Sequence, residues 1–534
     1  MKKNDVQIKW KSLVLSFLML MSVVLGTVPS FASAQVATPG RLRVGMEANY
    51  APFNWAQTSD ENGAVAIANS EGEYANGYDV QIAKKIADSL GLELEIVKYE
   101  WDGLPPAVMT GKIDAIIAGM SPTAERKEQI DFSDSYYTSD LVVVVQKGSQ
   151  WAEKKTLADF SGARITGQLN TFHYSVIDQI PGVSKETALD SFPTMIEALK
   201  SDRIDGYVSE KPGAMAAVAA NPDLVFVEFE QGQGFNTSSE DTSIAVGIQK
   251  GSSLTGEVNN ALSLIGEEER AQVMEEMVML NVAEEGGTQS FFGSIVSMAR
   301  EYGSLFIRGA AITMLIAIVS TLIGFLIGLV IGVVRSIPLN RKKRPGQYHV
   351  QKVINFLLAA YVEIIRGTPM MVQAVLFYYG SKQLFNLDIN ILLTAFIVVS
   401  VNTGAYLAEV VRGGINSIDK GQFEACKAIG MSHTQTMTNV VLPQAIRNIL
   451  PMIGNEFVIN IKDTSVLNVI AVTELFFVTR SIVGSTYQAF QGYLITAAIY
   501  FVLTFTTTRI IRLLERRLDT DRRIILTSDS VGGV

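Results

Sequence analysis

Five long apolar runs occupy the second half of this 534-residue chain, and they constrain its fold more than any other feature. Each run is long enough to cross the hydrocarbon core of a bilayer, where the backbone must satisfy its own hydrogen bonds and therefore forms helices. The runs predict spans near residues 303–334, 353–379, 389–411, 440–470 and 493–511. Residues 291–520 are thus expected to form an all-α transmembrane domain, followed by a tail at 521–534.

The distribution of basic residues predicts how this domain is oriented. Lysines precede an apolar run at 13–28, and Ala32 and Ala34 follow it, so residues 1–34 are expected to be a signal peptide cleaved after Ala34; a retained anchor is the alternative. Lysine and arginine are concentrated in the loop after the first span and at the C-terminus. Because basic residues are enriched on the cytoplasmic side of membrane proteins, this loop and the C-terminus are expected in the cytoplasm. We therefore expect a multi-pass protein of the cell membrane, with residues 35–282 extracellular and the C-terminus cytoplasmic.

Residues 35–282 show a different pattern, in which short β-type runs alternate with helical segments. Two such sets occur, separated by an apolar strand at 141–146, and a further strand at 242–249 follows the second set. This order predicts two α/β lobes joined by two crossings, with a hinged cleft between them. Residues 54–74 are rich in Gly, Asn and Ser and are expected to be a surface loop. The polar segment 283–290 is expected to be a flexible linker.

Composition excludes several functions. The formal net charge of -9 argues against nucleic-acid binding, which needs a concentrated basic face. The single cysteine, Cys426, and the scattered histidines, His173, His349 and His433, do not have metal-ligand spacing. A phosphate-binding glycine-rich loop is also absent from the sequence. We therefore expect this chain to bind no cofactor, so that any ATP-Mg is held by a partner subunit.

The most informative motif of the first half is Ala-Gly-Met-Ser-Pro-Thr-Ala-Glu-Arg at 118–126, followed by Asp-Phe-Ser-Asp-Ser-Tyr-Tyr at 131–137. An arginine just after a helix start is suited to holding a carboxylate through two parallel hydrogen bonds. The alternative for Arg126 is a surface ion pair with Glu125 or Glu128. The motif resembles the signature of the polar amino-acid-binding proteins of ABC importers, and the resemblance covers residues 40–282. It implies a two-lobed, periplasmic-binding-protein-like (type II) domain.

This resemblance also implies roles for individual residues. It places the ligands of the substrate α-carboxylate at Arg126, Ser121 and Thr171, with backbone groups from Gly119. Glu210 matches the acid that takes the α-ammonium group, where family members usually have aspartate. The chain also departs from the family at Asn170, where glycine or serine is commoner.

Selectivity for the substrate side chain is expected to depend on Glu47, at the C-terminal end of the first predicted strand. Glu47 matches a family position where an acid meets the distal nitrogen of the ligand, which favours lysine or arginine; glutamine is possible, because a carboxylate also accepts from an amide. Tyr50, Phe53 and Trp101 are expected to form aromatic walls, with the lobe core as the alternative for Phe53.

A second motif lies in the predicted cytoplasmic loop of the membrane domain. Glu-Ala-Cys-Lys-Ala-Ile-Gly at 424–430 is followed, after nine residues, by Val-Val-Leu-Pro at 440–443. The spacing resembles the coupling signature of ABC importer permeases and implies a type I permease. The matched residues, Glu424, Ala425, Gly430, Leu442 and Pro443, are then expected to contact an ATP-binding subunit.

Polar residues within the apolar runs are costly in a bilayer and usually face an interior path or a neighbouring helix. Glu363, Arg366, Asn402 and Glu409 are therefore candidates for the translocation path or for pairing between helices. Because five spans cannot enclose a symmetric pathway, we expect a homodimer of this chain, surrounded by membrane lipid.

Together these features predict ATP-driven uptake of a free amino acid, with ATP hydrolysed by a partner subunit and not by this chain. One alternative is an amino-acid-gated receptor or channel, because such proteins use the same two-lobed domain; they usually interrupt it with membrane segments, whereas here it is complete before the first span. A second alternative is an enzyme on the two-lobed fold, with Glu210 or Glu47 as acid or base.

Overall fold

A computed structural model of the chain describes residues 36–238, 242–284, 291–337 and 345–529. The predicted signal peptide lies outside these residues. So do most of the predicted linker at 283–290 and the last part of the predicted tail.

Residues 41–249 contain fourteen described strands, numbered here in chain order. They are β1 (Arg41–Met46), β2 (Asn49–Tyr50), β3 (Asn54–Gln57), β4 (Val65–Ala66), β5 (Tyr74–Asn76), β6 (Glu93–Lys98), β7 (Ala115–Ile116), β8 (Ile130–Thr138), β9 (Leu141–Gln146), β10 (Arg164–Thr166), β11 (Ser184–Lys185), β12 (Gly206–Glu210), β13 (Leu224–Val227) and β14 (Ser243–Gln249).

The strands form one five-stranded sheet in each lobe. The sheet of lobe one has the order β6-β1-β7-β14-β8, and that of lobe two has the order β11-β10-β12-β9-β13. In lobe one, β1 pairs in parallel with β6 and β7, so Val44 lies opposite both Ile96 and Ala115. Parallel strands need crossover helices and are covered on both faces, which explains the apolar character of β1. The chain crosses to lobe two between β8 and β9 and returns at β14.

The helices that complete the lobes are numbered α1–α8. They are α1 (Tyr78–Leu90), α2 (Leu104–Met109), α3 (Ala124–Gln129), α4 (Phe172–Ser175), α5 (Phe192–Lys200), α6 (Lys211–Ala220), α7 (Leu254–Ser263) and α8 (Glu267–Glu284). The two crossing segments lie side by side, since the amide of Ser139 donates to the carbonyl of Thr242 at 3.1 Å. The prediction of a two-lobed α/β domain with two crossings is confirmed.

The prediction of a surface loop at residues 54–74 is wrong. These residues contribute β3, β4 and the start of β5 to a four-stranded sheet with the order β2-β3-β5-β4. Trp55 and Ile67 are buried, and the Ser70 hydroxyl donates to the Glu73 carboxylate. The strands are only two to four residues long, too short for an alternating pattern to be visible in a glycine- and asparagine-rich sequence.

The second half of the described chain is helical. Its helices are α9 (Phe291–Glu301), α10 (Gly303–Arg335), α11 (Pro345–Gly367), α12 (Met370–Phe385), α13 (Ile391–Asn416), α14 (Lys420–Ala428), α15 (His433–Thr436), α16 (Leu442–Asp463), α17 (Leu475–Thr486) and α18 (Ala489–Asp529).

Three of these helices are long and apolar enough to cross a membrane by themselves, over Gly303–Arg335, Ile391–Asn416 and Ala489–Arg517. Two bent pairs also pass this test together, with bends of 108° between α11 and α12 and 55° between the 433–470 segment and α17. If each bent pair counts as one span, the described residues contain up to five, the number that the sequence predicts.

Small residues bring α10 and α13 into close contact. Gly324, Gly328 and Gly332 recur every fourth residue on α10, and a side chain at Gly328 would meet the backbone of Leu407 and Ala408 at 2.8 Å. Such spacing lets helix backbones approach closely in membranes, where dispersion and hydrogen bonds drive association. The buried Asn460 of α16 adds hydrogen bonds to Thr321 on α10 and Thr403 on α13, at 2.8 and 3.0 Å.

Candidate functional site: a closed cleft between two lobes

The predicted substrate residues converge on one cavity at the meeting edge of the two lobes. Lobe one contributes the ends of β1 and β7 and the start of α3, and lobe two contributes the start of α4 and the end of β12. The residues lining the cavity are Glu47, Tyr50, Trp101, Gly119, Ser121, Arg126, Gln168, Thr171, Phe172, His173 and Glu210. Eight of the nine predicted residues are therefore brought together.

Arg126 lies in the first turn of α3, whose N-cap is Thr123. Its guanidinium donates to the carbonyl oxygens of Ser121 in lobe one and Asn170 in lobe two, both at 2.9 Å. It also lies over the indole of Trp101, 5.1 Å from the ring centroid. Burial lowers the pKa of Arg126 to about 10, so the group stays cationic at neutral pH. These contacts fix a planar cation at the cleft, where it can bind a carboxylate.

Glu210 ends β12 and is 2% exposed. One carboxylate oxygen accepts a hydrogen bond from the Tyr50 hydroxyl of lobe one, and the other lies 2.8 Å from Nε2 of His173. Burial acts to raise the pKa of Glu210, but the nearby charge of His173, together with the hydrogen bond from Tyr50, holds it below its ordinary value. Glu210 is thus an ionised acid in a closed cleft, suited to an ammonium group.

His173 is a cavity residue that sequence reasoning missed. It is 5% exposed, and Nδ1 lies 3.1 Å from the hydroxyl of Thr171, which itself donates to the carbonyl of Gln168 at 2.7 Å. The signal was its position two residues after Thr171, at the start of a short helix whose N-terminus faces the cleft. The pairing of His173 with Glu210 is not visible in the sequence, because the two residues are 37 positions apart.

Glu47 follows the last residue of β1 and is 5% exposed. Burial, together with the negative charge of Glu100, raises the pKa of Glu47 to about 8, while Arg480 opposes the shift. A cation entering the cavity would favour the ionised form, and a neutral group would favour the protonated form. The protonation of Glu47 therefore depends on the charge of any group that enters the cavity beside it.

The aromatic residues divide into two layers. Tyr50 and Trp101 line the cavity, whereas Phe53 is fully buried and stacks behind Tyr50 at 5.1 Å between ring centroids. Phe53 also packs edge-on against Tyr78 and Tyr137, within the core of lobe one. The structure thus places Phe53 in the core, which was the alternative for it, and leaves Tyr50 and Trp101 at the cavity. Gly119 has φ +64°, and a side chain there would meet the Tyr50 ring at 3.2 Å.

The predicted coupling segment forms an exposed helix and turn. Asp419 caps α14 by accepting from the amide of Gly421 at 2.7 Å, and Glu424 and Ala425 are exposed along the helix. The helix ends at Ala428, and Gly430, two residues later, has φ +81°, a conformation that favours glycine. Cys426 is buried, and the neighbouring Ile429 is 77% exposed. An exposed, well-capped helix with an apolar tip is a suitable surface for a protein partner.

Leu442 and Pro443, the last predicted coupling residues, begin the long helix α16. They follow directly on a π-helical turn at Met437–Val441. Leu442 packs against a core cluster that includes Val411, Met437 and Ile449. The predicted coupling segment is therefore packed against the transmembrane helices α13 and α16.

The four candidate path residues have different surroundings. Glu409 of α13 forms an ion pair with Arg335 of α10, so it joins two helices. It also pairs with Arg412 of its own helix at 2.6 Å. Asn402 donates to the side chain of Gln373 at 3.2 Å. Glu363 and Arg366 are exposed on α11, and the Arg366 guanidinium lies 5.1 Å from the Tyr406 ring centroid.

Two family models match the two halves of the chain. Residues 42–277 match the bacterial extracellular solute-binding proteins, family 3, and residues 346–520 match the binding-protein-dependent transport system inner membrane component. The glutamine transport system permease protein GlnP of Escherichia coli (strain K12) is 38% identical over 167 residues, which cover 31% of this chain and 76% of that protein. This chain belongs to the amino-acid ABC importers, as a binding domain fused to a permease.

Further relatives of this importer subunit are found for each half. The nopaline transport system permease protein NocM of Agrobacterium fabrum is 36% identical over 173 residues, covering 31% of this chain and 72% of that protein. Among solved structures, the amino acid ABC transporter substrate-binding protein AbpA from Streptococcus pneumoniae, bound to L-arginine, is 28% identical, with a TM-score of 0.39 and coverage of 46% of this chain and 96% of that one. An ancestral arginine-binding protein bound to glutamine is 32% identical, with a TM-score of 0.37, covering 45% and 98%.

Membership of this family makes the chain a membrane transporter subunit. The amino-acid-gated receptor or channel is not favoured, because the membrane half matches a transport component. The family likewise favours a transporter subunit over an enzyme on the two-lobed fold.

Proposed function

We propose that this importer subunit binds a basic amino acid, arginine or lysine, in the cleft and passes it through the permease at the expense of ATP hydrolysed by a separate subunit. The observation that carries the proposal is the arrangement of charges in one closed cavity. Arg126 is available for the α-carboxylate, Glu210 for the α-ammonium group and Glu47 for a cationic side chain. Serine and threonine hydroxyls at 121 and 171 complete the polar lining.

Glu47 decides between basic amino acids and glutamine in this proposal. A buried carboxylate with a raised pKa is costly to leave ionised, and a guanidinium or ammonium group removes that cost by pairing with it. Glutamine would meet either a protonated acid or an unpaired charge. The permease relative GlnP is named for glutamine transport, so glutamine is the competing substrate to be tested.

The preference for arginine over glutamine is expected to increase with pH. In the closed cleft, burial raises the pKa of Glu47 to about 8. We expect an ordinary pKa in an open, hydrated cleft, because the raising effect of burial is then lost. Closure on glutamine therefore takes up a proton, and glutamine affinity should fall by up to about tenfold per pH unit between roughly pH 5 and 8. Closure on arginine keeps Glu47 ionised and takes up none. Calorimetric titration of the full chain in lipid nanodiscs, at several pH values, measures the ratio of the two affinities.

The variant Glu47→Gln is the control for this pH dependence. In this variant, the ratio of arginine affinity to glutamine affinity should not change with pH. Both ligands make the same α-carboxylate and α-ammonium contacts, so any pH effect on those contacts cancels in the ratio. Arginine affinity should fall about 30-fold, as expected for removing one partner of a buried charge pair. A wild-type ratio that is constant from pH 5 to 8, or a variant that keeps wild-type arginine affinity, would contradict the assigned role of Glu47.

The arrangement proposed for the membrane is a homodimer with the binding domains outside and the C-termini in the cytoplasm, after cleavage of residues 1–34. The exposed pair Glu363 and Arg366 supports a second permease copy, since charged side chains on a membrane helix are stable only against a partner or a polar path. The exposed helix α14 supports an ATP-binding partner with ATP-Mg, which would drive alternating access from the cytoplasmic side. Lipid would cover the remaining apolar surface.

Reconstitution tests this proposal as a whole. In liposomes holding the full chain and its ATP-binding subunit, arginine uptake is expected only when ATP is on the side opposite to arginine. A matched pair of variants on α14 checks the coupling surface. Ile429→Asp should reduce uptake at least tenfold without changing arginine affinity, whereas Lys420→Gln, at the far end of the same exposed helix, should keep most uptake. Arginine accumulation without the ATP-binding subunit would contradict the proposal.

A further inference from the structure

The binding domain is docked on the permease, and helix α17 forms much of the contact; we call it the docking helix. In lobe one, Lys98 and Glu73 form a buried ion pair with their charged atoms 3.3 Å apart. The Ser481 hydroxyl of the docking helix hydrogen-bonds both of these side chains. Gly484 lies directly against Asn49, and any side chain at 484 would overlap it. The docking helix is therefore shaped to fit lobe one.

One residue of the docking helix contacts both lobes. The Arg480 guanidinium pairs with Glu100 of lobe one at 3.0 Å and with Asp190 of lobe two at 3.1 Å. Its side chain is only 16% exposed, and that of Glu100 is 15% exposed, whereas that of Asp190 is 50% exposed. Within the described part of the chain, Arg480 is the one permease side chain that forms an ion pair with each lobe.

The two acids come together because the lobes are closed. Glu100 follows β6 and precedes Trp101, a cavity residue of lobe one, whereas Asp190 precedes α5 of lobe two. Beside them, Asn170 of lobe two donates to Asp102 of lobe one at 2.9 Å. Hinge opening moves the lobes apart, so that one guanidinium can no longer reach both carboxylates. The planar fork of arginine matches two carboxylates held at a fixed separation.

We propose that Arg480 is the residue by which the permease distinguishes a closed binding domain from an open one. This inference rests on the proposed function, since amino-acid binding is what closes the lobes. An open domain leaves a mostly buried guanidinium with one carboxylate, which weakens docking. Most other polar contacts involve lobe one alone, as between Lys112 and Asp388 at 2.5 Å, and hold the open and closed domains equally. Arg480 is thus a positioning residue for docking.

Backbone hydrogen exchange in the docking helix tests this inference, with the full chain in nanodiscs with and without saturating arginine. In the wild-type chain, arginine is expected to increase the protection of residues 475–486. In Asp190→Asn the increase should be about tenfold smaller, as expected for loss of one partly buried charge partner. Because coupling is reciprocal, apparent arginine affinity should fall by the same factor. The conservative variant Asp190→Glu should retain most of both effects. Asp190 is half-exposed and outside the cavity, so the variants are expected to fold.

Lys112→Gln is the matched control, because it removes an ion pair that involves lobe one alone. It should lower protection with and without arginine by the same factor and so leave their ratio unchanged. The role of Arg480 would be overturned if Asp190→Asn kept the wild-type ratio of protection with arginine to protection without it. It would also be overturned if Lys112→Gln lowered that ratio equally. Either result would leave the proposed function standing. A wild-type chain that binds no arginine in calorimetry would overturn the proposed function and this inference with it.

Discussion

Replacing Arg126 with lysine is expected to weaken arginine binding by about 100-fold. The guanidinium is held in place by two carbonyl oxygens, one from each lobe, and by the face of Trp101. Lysine keeps the charge but cannot hold both carbonyls and a ligand carboxylate at once. Losing roughly two hydrogen bonds to a charged group costs about 3 kcal/mol, which corresponds to about 100-fold in the dissociation constant. Calorimetric titration of the full chain with arginine measures the effect.

The control for this variant is Arg164→Lys. Arg164 pairs with Asp205 at 2.8 Å in lobe two and does not line the cavity. The same chemical change there should alter arginine affinity less than threefold. If Arg126→Lys also changes affinity less than threefold, the carboxylate is bound elsewhere and the orientation of the ligand proposed here is wrong.

The main features of the fold could be predicted because they depend on patterns that extend over many residues. Apolar length alone gives the membrane segments, and the alternation of strand and helix gives the two lobes. The cavity residues could be placed mainly through the resemblance to the amino-acid-binding proteins, since they match positions of that family. For some of them there is also a physical reason, because the carboxyl ends of parallel strands meet at one edge of a sheet. Glu47 after β1 and Glu210 at the end of β12 are examples of this rule.

What could not be predicted depends on contacts between residues far apart in sequence. Arg480 and Glu100 are 380 positions apart, and neither belongs to a motif. The bends that divide two of the predicted spans are also invisible in apolar length. The sheet at β2–β5 escaped prediction because its stability comes from packing on lobe one and not from local propensity. Docking surfaces are thus the part of this importer that requires a structure.

The largest effect on the permease is expected from replacing Gly328 with valine. Gly328 lies at the centre of the glycine row on α10, against the backbone of α13, where an added Cβ would be 2.8 Å from Leu407 and Ala408. Backbone cannot rotate away as a side chain can, so the two helices must separate and lose contact along their length. Overpacking costs typically 1–3 kcal/mol, and contact with backbone puts this site at or above the upper end. We expect a lower melting temperature of the membrane domain and loss of most arginine uptake.

Gly413→Ala on α13 is the matched control for Gly328→Val. Gly413 is exposed, and an added Cβ there would have no atom within 4 Å. Alanine favours a helix over glycine by about 1 kcal/mol, so this variant should be as stable as the wild-type chain or slightly more stable. Arginine binding provides a second check, because the cleft lies in the other half of the chain and should close normally in both variants. If Gly328→Val melts and transports like Gly413→Ala, α10 and α13 are not packed through this glycine row.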